Sequence, residues 1–75
     1  IDKSISKYFQ RKPISNTQRY IGHDEDDNMI VTLQATHENE IFPIIKYWLP
    51  NIKILEPKEM NEKIKKDIQE FINWT

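Results

Sequence analysis

At 75 residues the chain is sized for one domain near the lower limit of independent folding, with a net stability of about 3–5 kcal/mol. It has no cysteine, which excludes disulfides and thiolate metal sites, and its only glycine is Gly22, which excludes a glycine-rich phosphate loop. The net charge of −1 is unevenly spread: residues 1–20 carry Lys3, Lys7, Arg11, Lys12 and Arg19 against Asp2, a local +4, whereas residues 21–45 carry six acids and no lysine or arginine.

Ile5, Tyr8 and Phe9 recur at i, i+3 and i+4, which predicts a short amphipathic helix over Lys3–Gln10, ended by Pro13. Gln18–His23 reads as a strand and Asp24–Asn28 as a polar hairpin connection. Met29–Thr36 is the clearest strand, with Met29, Val31, Leu33 and Ala35 on one face. Two strands joined so closely are expected to be antiparallel.

A second helix is expected to start near Asn39, capped by Asn39 or Thr36, with Glu40 in its first turn and Pro43 close to its start. Ile41, Ile44, Ile45, Trp48 and Leu49 form its apolar face, and Pro50 stops it. Adjacent helix residues point about 100° apart, so Trp48 in the core leaves Tyr47 and Lys46 nearer the rim. Ile52–Leu55 is expected as a short strand. Pro57 then opens a last helix whose Met60, Ile64, Ile68, Phe71 and Ile72 follow the helical period, with Glu62 and Lys66 paired on its outer side. Trp74 at its end is expected to be exposed.

Chemistry-bearing residues are sparse. Asp24, Asp26 and Asn28 alternate as calcium-loop ligands do, but Met29 stands where that loop needs glycine and Ala35 where it needs a closing glutamate, so a solvated hairpin tip is expected. His23 and His37 flank the hairpin strands without a third ligand, and are read as surface histidines. No Ser-His-acid arrangement is recognisable, so no catalytic residue, cofactor or metal is assigned and the segment is not expected to be an enzyme. Lys7, Arg11, Lys12 and Arg19 bracket a helix end and a strand entry and are the candidate nucleic-acid contacts, against the commoner reading of a solvated surface. No apolar run reaches the roughly 18–20 residues of a membrane span. Asp2 and Lys3 interrupt any signal-peptide pattern, and the absence of cysteine fits a reducing, cytoplasmic interior. A chain that opens on Ile1 is expected to be one domain cut from a longer protein.

The order of motifs resembles the C-terminal extension, or WCX domain, of bacterial WYL-domain transcriptional regulators. The likeness runs from Tyr8-Phe9 through Pro13-Ile14-Ser15 and Gln18, across the hairpin to Glu40-Ile41 and Trp48. It ends on Ile54-Leu55-Glu56-Pro57 and the Met60/Ile64/Ile68 helix. The junction at Leu55-Glu56-Pro57 is its most specific part. This chain departs from the family in having Pro50-Asn51 where a glycine is common, and in keeping only Ile1-Asp2 as a trace of the strand that usually precedes the first helix.

The resemblance implies an α+β fold: a small ferredoxin-like antiparallel sheet packed by helices, in the order α-β-β-α-β-α and lacking its first strand. It also implies a regulatory and oligomerisation module that supports a homodimer. DNA would be bound through an N-terminal winged helix-turn-helix, beside a central WYL ligand-sensing domain. Two other functions are weighed with it: an accessory nucleic-acid surface formed by the four basic residues, and a small-molecule-sensing ferredoxin-like domain.

Overall fold

Alternating apolar residues after a polar turn build the sheet. In the computed structural model, which describes residues 1–74, strands β1 (Arg19–His23) and β2 (Met29–Thr32) are antiparallel, with Arg19 opposite Thr32, Tyr20 opposite Val31, Gly22 opposite Ile30 and His23 opposite Met29. The register breaks between Tyr20 and Gly22, leaving Ile21 as a bulge. The turn is closed by Asp24, whose Oδ1 accepts from the Asp26 and Asn28 amides, each at 2.9 Å. Asp27 adopts a left-handed φ of 68°, a conformation that aspartate tolerates better than most residues. The backbone amide of Asn28, with the other donors around the loop, holds the Asp24 carboxyl below its ordinary range.

Three helices surround this hairpin: α1 (Ser6–Arg11), α2 (Phe42–Tyr47) and α3 (Lys58–Trp74). The expected second helix is divided. A 3-10 turn over Glu38–Glu40 comes first, and α2 begins only after Ile41. The 3-10 turn is capped by His37, whose Nδ1 accepts from the Asn39 amide at 3.1 Å, and α2 itself starts after Ile41 without a side-chain cap, so neither Asn39 nor Thr36 caps the helix. Thr36 is instead fastened to Glu40, its hydroxyl donating to Oε1 at 2.7 Å and its amide to Oε2 at 3.3 Å. Pro43 falls in the first turn of α2, where a missing N–H costs no helical bond.

The core consists of Phe9, Met29, Phe42, Ile45, Ile52 and Ile64, with Ile1, Val31, Trp48, Met60 and Ile68 packed against it. Met29 is the most enclosed, 1 % exposed, and receives α1 on one side through Phe9 and Gln10, whose Nε2 lies 3.8 Å from the Met29 sulfur. Trp48 is half-buried and packs edge-to-face on Phe9 and at a tilt against Tyr8, with ring centroids 5.1 and 5.0 Å away. Tyr47 is 80 % exposed, as the helix geometry requires. Phe42, which the apolar pattern left out, is buried beneath two lysines, the Lys46 and Lys63 ammonium groups lying 5.9 and 5.8 Å from its ring centroid.

The sequence order α-β-β-α-β-α requires one correction. Ile52–Leu55 carries no strand ladder, and the sheet among the described residues has two strands, so the fold is a small α+β arrangement of a hairpin and three helices. A ladder needs two strands, and among the described residues nothing lies beside this segment to pair with it along its length. Its amide at Ile54 donates instead to the Asn61 side chain on α3, at 3.1 Å. Boundaries also moved: β2 ends at Thr32 rather than Thr36, α1 spans Ser6–Arg11 rather than Lys3–Gln10, and β1 begins at Arg19 rather than Gln18. Lys65, not Lys66, pairs with Glu62.

Ile1 and Asp2 lie between the hairpin and the Asn51–Leu55 segment. The Ile1 amino group donates to the Met29 carbonyl at 2.9 Å, and the Met29 amide donates back to the Ile1 carbonyl at 2.9 Å. The Asp2 amide donates to the Asn51 carbonyl at 2.7 Å. The start of the chain thus fills the first step of a lane between β2 and Asn51.

Candidate functional site

The four basic residues singled out from the sequence are all exposed. Lys7 and Arg11 share α1 and, four residues apart, lie one above the other on one face. Lys12 follows the helix end, and Arg19 is the first residue of β1. Gln18 ties these two places together. Its Nε2 donates to the Phe9 carbonyl at 3.1 Å, while its Oε1 accepts from the Ile14 amide at 2.8 Å. A second staple joins the same loop to the end of the hairpin: the Thr17 hydroxyl donates to the Gln34 carbonyl at 3.2 Å and accepts from the Gln34 amide at 3.0 Å. The loop that links Lys12 to Arg19 is therefore held at both ends. Thr17 and Gln18 carry no sequence signal for such staples beyond their hydrogen-bonding capacity.

The charge environment separates the lysines into two groups. Lys46 pairs with Asp67 at 2.8 Å, Lys63 pairs with Glu38, and Lys65 lies 3.4 Å from Glu62. Hydrogen bonding to Lys46 lowers the Asp67 carboxyl from its ordinary range, and hydrogen bonding to Glu38 raises the Lys63 ammonium. The side chains of Lys7, Arg11, Lys12 and Arg19 form no ion pair or hydrogen bond among the described residues, and neither do those of Lys3, Lys53, Lys58 and Lys66, so what sets the four apart is their clustering at the end of α1 and the start of β1. Cations of that kind are free to meet phosphate or carboxylate from outside.

The remaining polar candidates are occupied locally. His23 shares a 2.7 Å hydrogen bond between its Nδ1 and the Tyr20 hydroxyl, and His37 serves as a cap. Of the alternating residues Asp24, Asp26 and Asn28, the Asp24 carboxylate is taken up by the Asp26 and Asn28 amides and by the Asn28 side chain. Among the described residues no helix is long and apolar enough to cross a membrane.

Two apolar features remain. The last turn of α3 extends beyond the core, so Phe71 and Trp74 are 63 % and 85 % exposed, although Phe71 keeps the helical period of the buried Ile64. Between β2 and Ile52–Leu55 lies an open groove of about 970 Å³, lined by Val31, Leu33, Ile41, Ile45, Lys53 and Met60. The alternation of β2 announced one wall of this groove, but its opening depends on what stands next to β2, which no local pattern records.

No curated protein and no solved structure matches the chain. A family model described as the WCX domain matches residues 1–72, which spans both strands, the Leu55-Glu56-Pro57 junction and all but the end of α3. With nearly its whole length matched, the chain belongs to the WCX domain family.

Proposed function

We propose that this chain is the C-terminal regulatory and oligomerisation module of a cytoplasmic bacterial WYL-type DNA-binding transcriptional regulator. The observation that carries the reading is the family match over residues 1–72. Consistent with a module of this kind, the enclosed side chains are apolar apart from Ser6. On this reading the module serves assembly and signal response, carries out no reaction of its own, and works in a homodimer.

The exposed Phe71 and Trp74 supply the contact in this proposal, because aromatic side chains held on a rigid helix contribute much apolar area at little cost in entropy. Sedimentation of the intact regulator, with and without residues 1–75, tests the reading. Loss of the dimer and weaker operator binding on removal is the expected result. A dimer and operator affinity that both survive removal would overturn it. The paired change Phe71→Glu and Trp74→Glu refines the test, since both positions are exposed and the fold should persist.

A second reading is favoured by one observation, the clustering of Lys7, Arg11, Lys12 and Arg19 at the end of α1 and the start of β1, with no ion pair among the described residues. On this reading the rim of α1 and β1 adds phosphate contacts to those of a separate DNA-binding domain. Phosphate contacts position a protein on nucleic acid without reading its sequence, which suits four cations with no base-reading helix beside them.

A further inference from the structure

The hairpin carries opposite charge at its two ends. Where β1 begins, Gln18 ties the strand to Phe9 on α1, so Arg19 shares that end of the hairpin with Arg11 and Lys12 at the end of the helix. At the far end, the turn after His23 holds Asp24, Glu25, Asp26 and Asp27, all exposed. The Asp24 carboxylate is taken up by its own turn. The side chains of Glu25, Asp26 and Asp27 form no ion pair or hydrogen bond among the described residues, as is true of the three cations. One lysine comes close to the turn, the Lys3 amide donating to Asn28 Oδ1 at 3.0 Å, and four acids outweigh it. Four residue steps from Arg19 to His23 hold the two ends roughly 13 Å apart. That exceeds the ~10 Å over which exposed charges act at 0.1 M salt, so the ends do not neutralise each other within one chain.

Apolar surface lies between them. Tyr20 and Ile21 are each 60 % exposed. Among the described residues β1 pairs with β2 along one edge and with no strand along the other. The Tyr20 hydroxyl shares a 2.7 Å hydrogen bond with His23 Nδ1 and the two rings lie 5.3 Å apart, so the tyrosine is already held and has little freedom left to lose in a contact. The bulge at Ile21 breaks the regular spacing of the free edge. A continuous backbone ladder with another strand is thereby disfavoured, which leaves the contact to side chains.

Along β1 the order is therefore basic, apolar, acidic. Such an order is its own complement when a second strand runs antiparallel to it, whereas a parallel neighbour sets like charges together at both ends. We propose that the exposed edge of β1 is a contact surface for a second copy of this chain, related by a two-fold axis near Ile21. Arg11, Lys12 and Arg19 of each copy then meet the acidic turn of the other, and Tyr20 and Ile21 of both are covered between them. Both contacts are identical under the two-fold, so the assembly closes as a dimer and does not grow further. The surface is formed by residues other than Phe71 and Trp74, and it does not depend on their contact or on DNA binding.

The test uses the 75-residue chain carrying Phe71→Glu and Trp74→Glu, so that the end of α3 does not contribute. Sedimentation velocity at 0.05 M salt should show a monomer that becomes a dimer as concentration rises, and 0.5 M salt should weaken the dimer about tenfold or more. Lys12→Glu with Arg19→Glu should weaken it by a similar factor, and so should Glu25→Lys with Asp26→Lys. The four changes together restore the net charge and exchange the two ends, so they should restore the dimer. Tyr20→Thr with Ile21→Thr should weaken it at every salt concentration. Circular dichroism identifies the folded variants, and the salt dependence of the starting chain decides where a variant does not fold. A monomer at all concentrations overturns the proposal, as does a dimer indifferent to salt and to both charge pairs. Failure of the folded four-change chain to associate overturns it too, and so does growth beyond a dimer. Association that appears only when short duplex DNA is added overturns it in favour of phosphate as the counter-charge. None of these outcomes touches the contact at Phe71 and Trp74, so the dimer of the proposed function is tested separately.

Discussion

The Gln18 side chain reaches back to Phe9, its amide donating to the carbonyl of that buried helix residue at 3.1 Å. This contact joins α1 to the strand that follows it, and the Ile14 amide bonded to the same side chain fixes the intervening loop.

Replacing Gln18 by alanine removes both bonds and leaves a part-buried carbonyl and amide without their partner. A loss of about 1–3 kcal/mol is expected, a large share of the stability available to a chain of this size. Gln18→Glu keeps an acceptor for Ile14 but loses the donor to Phe9, so its loss should be smaller. Urea unfolding of the two variants checks the order, and an Ala variant as stable as the parent would mean that the staple contributes nothing.

Trp48 and Tyr47 give the sharpest test of how the second helix is seated. Trp48 packs against the rings of Phe9 and Tyr8, so Trp48→Ala should cost about 3 kcal/mol and leave the chain close to its unfolding threshold. Tyr47→Ala, on an exposed ring, should stay within about 0.5 kcal/mol of the parent. Thermal unfolding of the pair measures both, and a reversed order would mean that α2 is rotated about its axis.

That seating was legible in the sequence, because residues one step apart on a helix cannot face the same way. The buried face of β2 was legible for the same kind of reason, through the alternation of Met29 and Val31. What local pattern does not record is the partner. Ile52–Leu55 has strand-forming residues, yet without a neighbour along its length it forms no ladder. Phe71 keeps the period of α3 but lies past the end of the core, so periodicity named its face and not its burial. Phe42 lies outside the stripe of Ile41, Ile44, Ile45, Trp48 and Leu49, and its cover of two lysines comes from α2 itself and from α3. The four candidate cations were legible as a cluster of charge. Their release from internal pairing was not, since it depends on where Glu38, Glu62 and Asp67 find partners.

The hairpin turn makes stability depend on pH on the acid side. Asp24 has a carboxyl pKa lowered in the folded chain by the amides it accepts from. Its contribution is therefore complete above the ordinary aspartate value and is lost as pH falls through the lowered folded value. Asp2, lowered by its hydrogen bonds to Ser4, and Asp67, lowered by Lys46, act in the same direction. Asp24→Asn keeps an oxygen acceptor for the Asp26 and Asn28 amides but does not titrate. Its thermal midpoint should fall less than the parent's between neutral and acid pH, and parallel curves for the two chains would remove Asp24 from the account.

Charge reversal separates a phosphate-contacting rim from a merely solvated one. Arg11→Glu with Lys12→Glu alters two exposed cations whose side chains hold no partner among the described residues, so the fold should be unaffected. If the intact regulator places both residues against duplex phosphates, the slope of log affinity against log salt concentration should fall in magnitude by about 2, because each neutralised phosphate contributes roughly 0.9. Affinity at low salt should fall for every duplex sequence alike, since phosphate contacts do not discriminate between bases. Lys46→Glu is the matched control: it also reverses a surface cation, but one already committed to Asp67 at 2.8 Å. Its salt slope should equal that of the parent. An unchanged slope in the double variant would remove the rim from nucleic-acid contact, and a slope that fell equally in the Lys46 control would show general electrostatic attraction instead of a located surface.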